Sequence, residues 1–172
     1  AEATELNQLY EEFPTSIRLL NDQAGVLKIP QKRHIEKWIN QFNKEFQGCF
    51  LTVHMVGLND VQSASSYGIW SLNCPDYRDF PNSARPDAGL SLVLDVQKKE
   101  VCLSYGYQLE PYLDPLTCFD CVSPAHPYLL DNAYFDAIQM IRHGIRSKLH
   151  WKSRWAKSIL KKKNLLNRIT TP

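Results

Sequence analysis

Four acids placed at the ends of predicted elements are the residues here best suited to chemistry: Asp22, Asp87, Glu110 and Asp114. Hard divalent cations take several oxygen ligands, so carboxylates drawn from separate loops, completed by backbone carbonyls and water, can hold Ca²⁺ or Mg²⁺. Such an ion would orient a phosphate and activate water. Without it, the same acids would repel an anionic substrate. The plainer alternative is that each acid serves its own turn, with Asp22 in an Asx turn, Glu110 capping a helix and Asp114 in a turn with Pro115.

The elements that must position these acids follow from hydrophobic period. Residues 85–110 read RPDAGLSLVLDVQKKEVCLSYGYQLE. Leu90, Leu92 and Leu94 share one pleated face, Ser91, Val93 and Asp95 the other, and Val101, Leu103 and Tyr105 repeat the alternation on a return strand. The charged segment 96–100 reverses the chain, so Asp87 and Glu110 are expected at the same end of the sheet. Upstream, Pro30 opens a helix through about Phe46, with Ile35, Trp38, Ile39, Phe42 and Phe46 on one face, and Gly48 ends it. Residues 49–58 are a strand, apolar on both faces and therefore central, which puts His54 in the core rather than in a catalytic role. Asn59 or Asp60 is expected to cap a helix to about Leu72. Residues 73–86, with three prolines, form a loop. Residues 111–127 are short helical or irregular, and a long helix runs from Tyr128 to about His150, with Leu130, Tyr134, Ile138 and Ile141 inward. The order βαββα with flanking helices predicts a three-layer α/β/α sandwich around a small mixed sheet. The domain spans 18–150, preceded by an arm or short helix over 1–17 and followed by a basic amphipathic helix over 151–172.

The hairpin also carries a family resemblance. Asp87-Ala-Gly89, an apolar strand, a charged turn, a second strand and Gly106-Tyr-Gln-Leu-Glu110 together resemble the TPM domain, a family of thylakoid acid phosphatases and bacterial envelope proteins. The opening Leu20-Asn-Asp-Gln-Ala-Gly-Val-Leu27 and the helix from Pro127 to Ile138 are similar to that family's first and last motifs, so the resemblance covers roughly residues 18–150. It implies a TPM-like fold, a divalent cation at a carboxylate rim, phosphomonoester hydrolysis and an extracytoplasmic place in the cell envelope. Two departures matter: Ala88 stands where the family usually has Asn or Asp, and Gln108 where it usually has Gly. Ala88 removes an oxygen donor, and no covalent phosphotransfer signature is present. The expectation is therefore a non-catalytic or weakly catalytic module that binds Ca²⁺ or Mg²⁺, with a metal-dependent acid phosphatase as the alternative.

Charge is segregated along the chain. All 18 acids lie at or before Asp136, against 10 Lys and Arg there, so residues 1–136 are 8 units negative, while residues 137–172 hold the other 10 basic groups. In the tail, Trp151, Trp155, Ile159, Leu166 and Ile169 share a helical arc, with Arg154, Lys157, Lys161 and Arg168 opposite and Lys162 and Lys163 alongside. Tryptophans beside cations suit an anionic membrane surface. The same helix can instead dock on the acidic body or on another envelope protein. Nucleic acid is not expected, because no stacking motif accompanies the charge. No apolar run approaches the ~20 residues of a spanning helix, so the chain as it stands is expected to be soluble. Its start at Ala1 fits either a removed leader peptide or a shortened chain.

Other motifs read as structural. Arg142-His-Gly-Ile-Arg146 matches a histidine-phosphatase string, yet it falls inside a helical pattern rather than at the end of an early strand. Cys118-Phe-Asp-Cys121 with His126 has no second ligand pair for zinc. Of the five cysteines, Cys49 and Cys102 sit in apolar strand patterns and are expected as buried thiols.

Overall fold

A strand that is apolar on both sides must be covered on both sides, and this requirement arranges the layers. The computed structural model describes residues 2–80, 86–148, 161–162 and 165–169. Its strands are β1 (Ser16–Ile17), β2 (Leu20–Asp22), β3 (Phe50–Val56), β4 (Asp76–Tyr77), β5 (Gly89–Asp95) and β6 (Glu100–Tyr105). Its helices are α1 (Glu2–Leu9), α2 (Ile29–Glu45), α3 (Ala64–Asn73), α4 (Pro115–Val122), α5 (His126–Leu130) and α6 (Tyr134–Lys148). The main sheet runs in the order β2-β3-β5-β6, parallel except for the antiparallel β5–β6 hairpin, and β1 and β4 form a short parallel ladder. Every residue of β3 and β5 is buried. Leu51, Val53, Met55, Leu90, Leu92 and Leu94 face a core built with α2, α4 and α6, while Val56 and Val93 face α3. This is the mixed three-layer sandwich that the periodicity predicts.

The first residues form a short docked helix. Tyr10 and Phe13, which follow α1, pack edge-on and tilted against Tyr67 and Trp70 of α3. Tyr10 Oη also donates to the Ser63 carbonyl at 3.2 Å.

Two boundaries differ from expectation, each for a local reason. Helix α3 starts at Ala64, because Ser63 rather than Asn59 or Asp60 caps it, accepting from the Ser66 N–H at 3.0 Å. Asn59 instead spends its Oδ1 on the N–H groups of Val61 and Gln62, both at 3.1 Å, which closes a turn. The single helix expected over 128–150 is broken into α5 and α6. Asn132 adopts φ +57°, and the Ala133 N–H returns to the Tyr128 carbonyl at 2.8 Å, a left-handed stop that Asn tolerates.

The histidine-phosphatase string lies within α6 and serves packing. A Cβ on Gly144 would sit 2.7 Å from the Cys121 carbonyl oxygen, so only glycine lets α6 approach α4 this closely. Arg142 lies 5.8 Å from the Trp38 ring centroid and donates to His34 Nε2 at 3.4 Å.

Beneath α3 the sheet carries polar side chains that satisfy one another. Thr52 Oγ1 donates to the Leu19 carbonyl and Tyr77 Oη to the Ser71 carbonyl, both at 2.8 Å. With their protons so used, both hydroxyls accept from His54 Nε2, at 2.9 and 3.2 Å. Asn21 Nδ2, which can only donate, lies 3.3 Å from Nδ1. The bookkeeping assigns His54 the neutral Nε2–H tautomer, and burial lowers its pKa to about 3. The unfolded chain takes up this proton near pH 6.5 and the native chain does not. Stability is therefore complete above about 6.5 and falls toward about 3, by ~1.4 kcal/mol per pH unit. Denaturant titrations should show this histidine removing ~2 kcal/mol between pH 6.5 and pH 5. The His54→Gln variant should lose that part of the slope; an unchanged pH profile would clear His54 as its cause.

Candidate functional site

The direction of the strands decides which acids share a rim. Asp22 closes β2 in register with Met55 near the end of β3, whereas Gly89 pairs with Phe50 at the start of β3, and Asp87 lies ahead of it. Because β2, β3 and β5 are parallel, Asp22 and Asp87 stand at opposite ends of the sheet, more than about 15 Å apart along the strands. The expected convergence of all four acids on one point is therefore not formed. Asp22, expected in a loop ahead of the first helix, ends a strand instead: three residues including Asn and Asp carry little strand signal, and only the β2–α2–β3 crossover fixes their direction.

Asp22 organises its own loop. Its Oδ1 accepts from the Val26 N–H and its Oδ2 from the Leu27 N–H, both at 3.0 Å, with the Lys32 ammonium 3.8 Å away and the side chain 3% exposed. Gly25, at φ +66°, makes the bend.

The opposite rim is built by two 3-10 turns, Pro86–Ala88 and Tyr107–Leu109, pressed together. A Cβ on Gly106 would lie 2.1 Å from the Asp87 carbonyl oxygen, so this contact requires glycine. Gln108 Nε2 donates to Asp87 Oδ2 at 2.8 Å. Asp87 Oδ1 is buried and has no hydrogen-bond partner among the described residues. The other such oxygen, Asp95 Oδ2, has the Lys98 ammonium 3.8 Å away. Asp87 lines a cleft of about 540 Å³ with Ile69, Leu72, Asn73, Tyr105 and Tyr107. Gln108, Tyr105 and Tyr107 were not singled out from sequence as site residues; the signal for Gln108 was its departure from the usual Gly.

Glu110 and Asp114 belong to this same rim. Both act on the Tyr105 hydroxyl, whose pKa is raised chiefly by burial, then by the Cys118 thiol and these two carboxylates. Glu110 is exposed at the end of the second turn. Asp114 caps α4, accepting from the Thr117 N–H at 2.8 Å and from Thr117 Oγ1 at 2.9 Å, and these bonds hold its carboxyl below the ordinary value. Among the described residues, no three His, Cys, Asp or Glu side chains lie close enough to hold one metal ion together.

All five cysteines are free thiols. Cys118 and Cys121 are buried in α4, and burial pushes the Cys118 pKa up to about 12, the state of an inert packing group. Lys161 and Lys162 are helical and exposed, as are residues 165–169; Trp151, Trp155, Lys157 and Lys163 lie outside the described residues. No helix among the described residues is long and apolar enough to cross a membrane.

Since Asp22 holds two backbone donors at the far rim, Asp22→Ala should cost ~2 kcal/mol in thermal or chemical unfolding and leave Ca²⁺ affinity unchanged. A matching loss of affinity would return Asp22 to the site. Solved structures share the architecture: the N-terminal domain of a P. gingivalis protein aligns with TM-score 0.56 and 18% identity over 84% of this chain and 89% of its own. The N-terminal domain of a Corynebacterium glutamicum protein aligns with TM-score 0.53 and 12% identity over 77% and 80%. No curated protein matches the chain. The family model for the TPM domain matches residues 20–147, and with the hairpin, turns and sheet order above it follows that the chain belongs to the TPM domain family.

Proposed function

We propose that this TPM-domain protein is a module of the cell envelope that works by binding rather than turnover, holding a divalent cation weakly at the rim around Asp87. The observation that carries this reading is Asp87 Oδ1, a buried carboxylate oxygen beside a cleft that has no hydrogen-bond partner among the described residues. Leaving such an acceptor unmet costs about 1–3 kcal/mol, which a Ca²⁺ or Mg²⁺ ion would relieve. Glu110, exposed at the same rim, adds an oxygen directly or through water. Asp22 and Asp114 are spoken for by backbone and threonine donors.

A bound ion would attract phosphate or carboxylate groups and polarise water. The chain's own residues hold and orient. Gln108 fixes the Asp87 carboxylate through Oδ2, and Tyr105 and Tyr107 wall the cleft. Ala88, buried beside Asp87, offers no side-chain oxygen. With one carboxylate oxygen already engaged and an apolar neighbour, the rim suits weak, well-hydrated coordination better than the oxygen cage a hydrolytic metal centre needs.

Calorimetric titration should give Ca²⁺ binding near 10⁻⁴–10⁻³ M, on the order of other weak extracellular sites, and lose it in Asp87→Asn. Hydrolysis of p-nitrophenyl phosphate should show no part that depends on Asp87. A rate abolished both by chelator and by Asp87→Asn would establish the phosphatase reading instead.

The basic tail is the proposed attachment to an anionic membrane surface or to a protein partner. On anionic liposomes the full chain should float, and deletion of residues 151–172 should abolish flotation. Flotation unchanged by that deletion would leave the tail without a membrane role.

A further inference from the structure

Strand β6 is the outer strand of its sheet, and pairing on one side leaves backbone groups over on the other. The Gly106 N–H donates to the Gly89 carbonyl at 2.9 Å, and the pairs Ser91–Ser104, Val93–Cys102 and Asp95–Glu100 continue that register at every second residue. In an antiparallel ladder these residues turn both backbone groups toward β5. Val101, Leu103 and Tyr105 therefore direct their N–H and C=O groups outward, and among the described residues nothing bonds to them. An open edge of this kind is a template for another strand.

Two clefts follow that edge. One, of about 540 Å³, lies at the start of β6, over Val101 and Cys102, between Ser65 of α3 and Phe119 and Val122 of α4. The other is the rim cleft at the strand's end, where Ile69 and Asn73 of α3 face Tyr105. Ser65, Ile69 and Asn73 recur at every fourth position, so one stripe of α3 walls both clefts and joins them into a trough along β6. The walls are apolar and open to a ligand: Phe119 is 62% and Ile69 47% exposed.

Charge selects the occupant. Glu100 is exposed at one end of the trough, and Glu110 and Asp114 stand near Tyr105 at the other. Lys99, the cation of the first cleft, is turned to Asn132 Oδ1 and Tyr134 Oη. We propose that the trough along β6 is a strand-addition site for an extended, cationic segment of a partner protein, paired through the backbone of Val101, Leu103 and Tyr105. Backbone bonding gives the affinity, the apolar walls take alternate side chains, and the flanking acids select Lys and Arg. The pairing does not rest on the cation reading, so the two fail separately when the test is run in chelator.

The probes are a seven-residue peptide of alternating Val and Lys, its Val–Glu counterpart, and the Val–Lys peptide N-methylated at alternate amides. Each is titrated against the full chain in EDTA, read by amide NMR and hydrogen exchange. The Val–Lys peptide should bind and slow exchange at Val101, Leu103 and Tyr105 by at least about tenfold, N-methylation should weaken it about tenfold, and the Val–Glu peptide should not bind. Val101→Pro removes one outward N–H and spares the ladder to β5, so it should weaken the Val–Lys peptide about tenfold with the folded spectrum retained. Should that variant fail to fold, the N-methylated peptide on the unaltered chain decides. Equal binding of the methylated peptide, or binding without protection of those amides, would reduce the effect to surface charge and overturn the proposal. So would a dimer, seen by sedimentation and lost in Val101→Pro, which would give the edge to a second copy.

Discussion

The complete burial of β3 is the constraint on which the rest of this protein depends. A strand with no exposed residue needs neighbours on both edges and cover on both faces. Residues 50–56 therefore sit between β2 and β5, with α2 on one side and α3 on the other. Helical crossovers make those three strands parallel, and parallel strands put all their starts at one rim and all their ends at the other. The distribution of the acids follows from this alone: Asp22, an end, is separated from Asp87, a start, while the antiparallel return of β6 delivers Glu110 and Asp114 to the side of Asp87.

The two faces of the sheet solve burial differently. Toward α2, α4 and α6, aliphatic side chains from Leu51 to Leu94 pack against isoleucines and phenylalanines, and burial of apolar area is the stabilising term. Toward α3, Thr52, His54, Ser71, Ser91 and Tyr77 form a hydrogen-bonded layer in which His54 and the two hydroxyls it meets have their donors and acceptors matched. Such a layer stabilises only while every member stays in its protonation state, because one unmet group in a water-free interior costs as much as a bond contributes. His54 is thus tied to the fold and fully buried beneath α3. The two buried oxygens that break this rule among the described residues, Asp87 Oδ1 and Asp95 Oδ2, lie outside this hydrogen-bonded set, and Asp95 Oδ2 has the Lys98 ammonium 3.8 Å away.

Much of the local architecture was legible in the sequence. Alternation in residues 90–105 gave the hairpin, the spacing of Ile35, Trp38, Ile39 and Phe42 gave α2, and the two-faced apolar run gave β3 its central place; TPM membership was readable from the hairpin and from residues 20–27. The wrong boundaries came from side chains with two options. Asn59 can cap a helix or close a turn, and Asn132 can continue a helix or stop it. Which option wins depends on neighbours that pattern does not name, such as Ser63 and the docking of Tyr10.

Amino-acid type and spacing therefore determined which residues form helices and strands, which faces are apolar, and that Asp87 and Glu110 stand at the same end of one hairpin, since these are relations between residues near in the chain. The relation of Asp22 to Asp87, the capture of Asp87 by Gln108, and the open outer edge of β6 were decided by tertiary structure. Each depends on the order and direction in which strands assemble, a choice made by burying β3 between its helices, and short β2 carries no periodic signal from which that choice can be read.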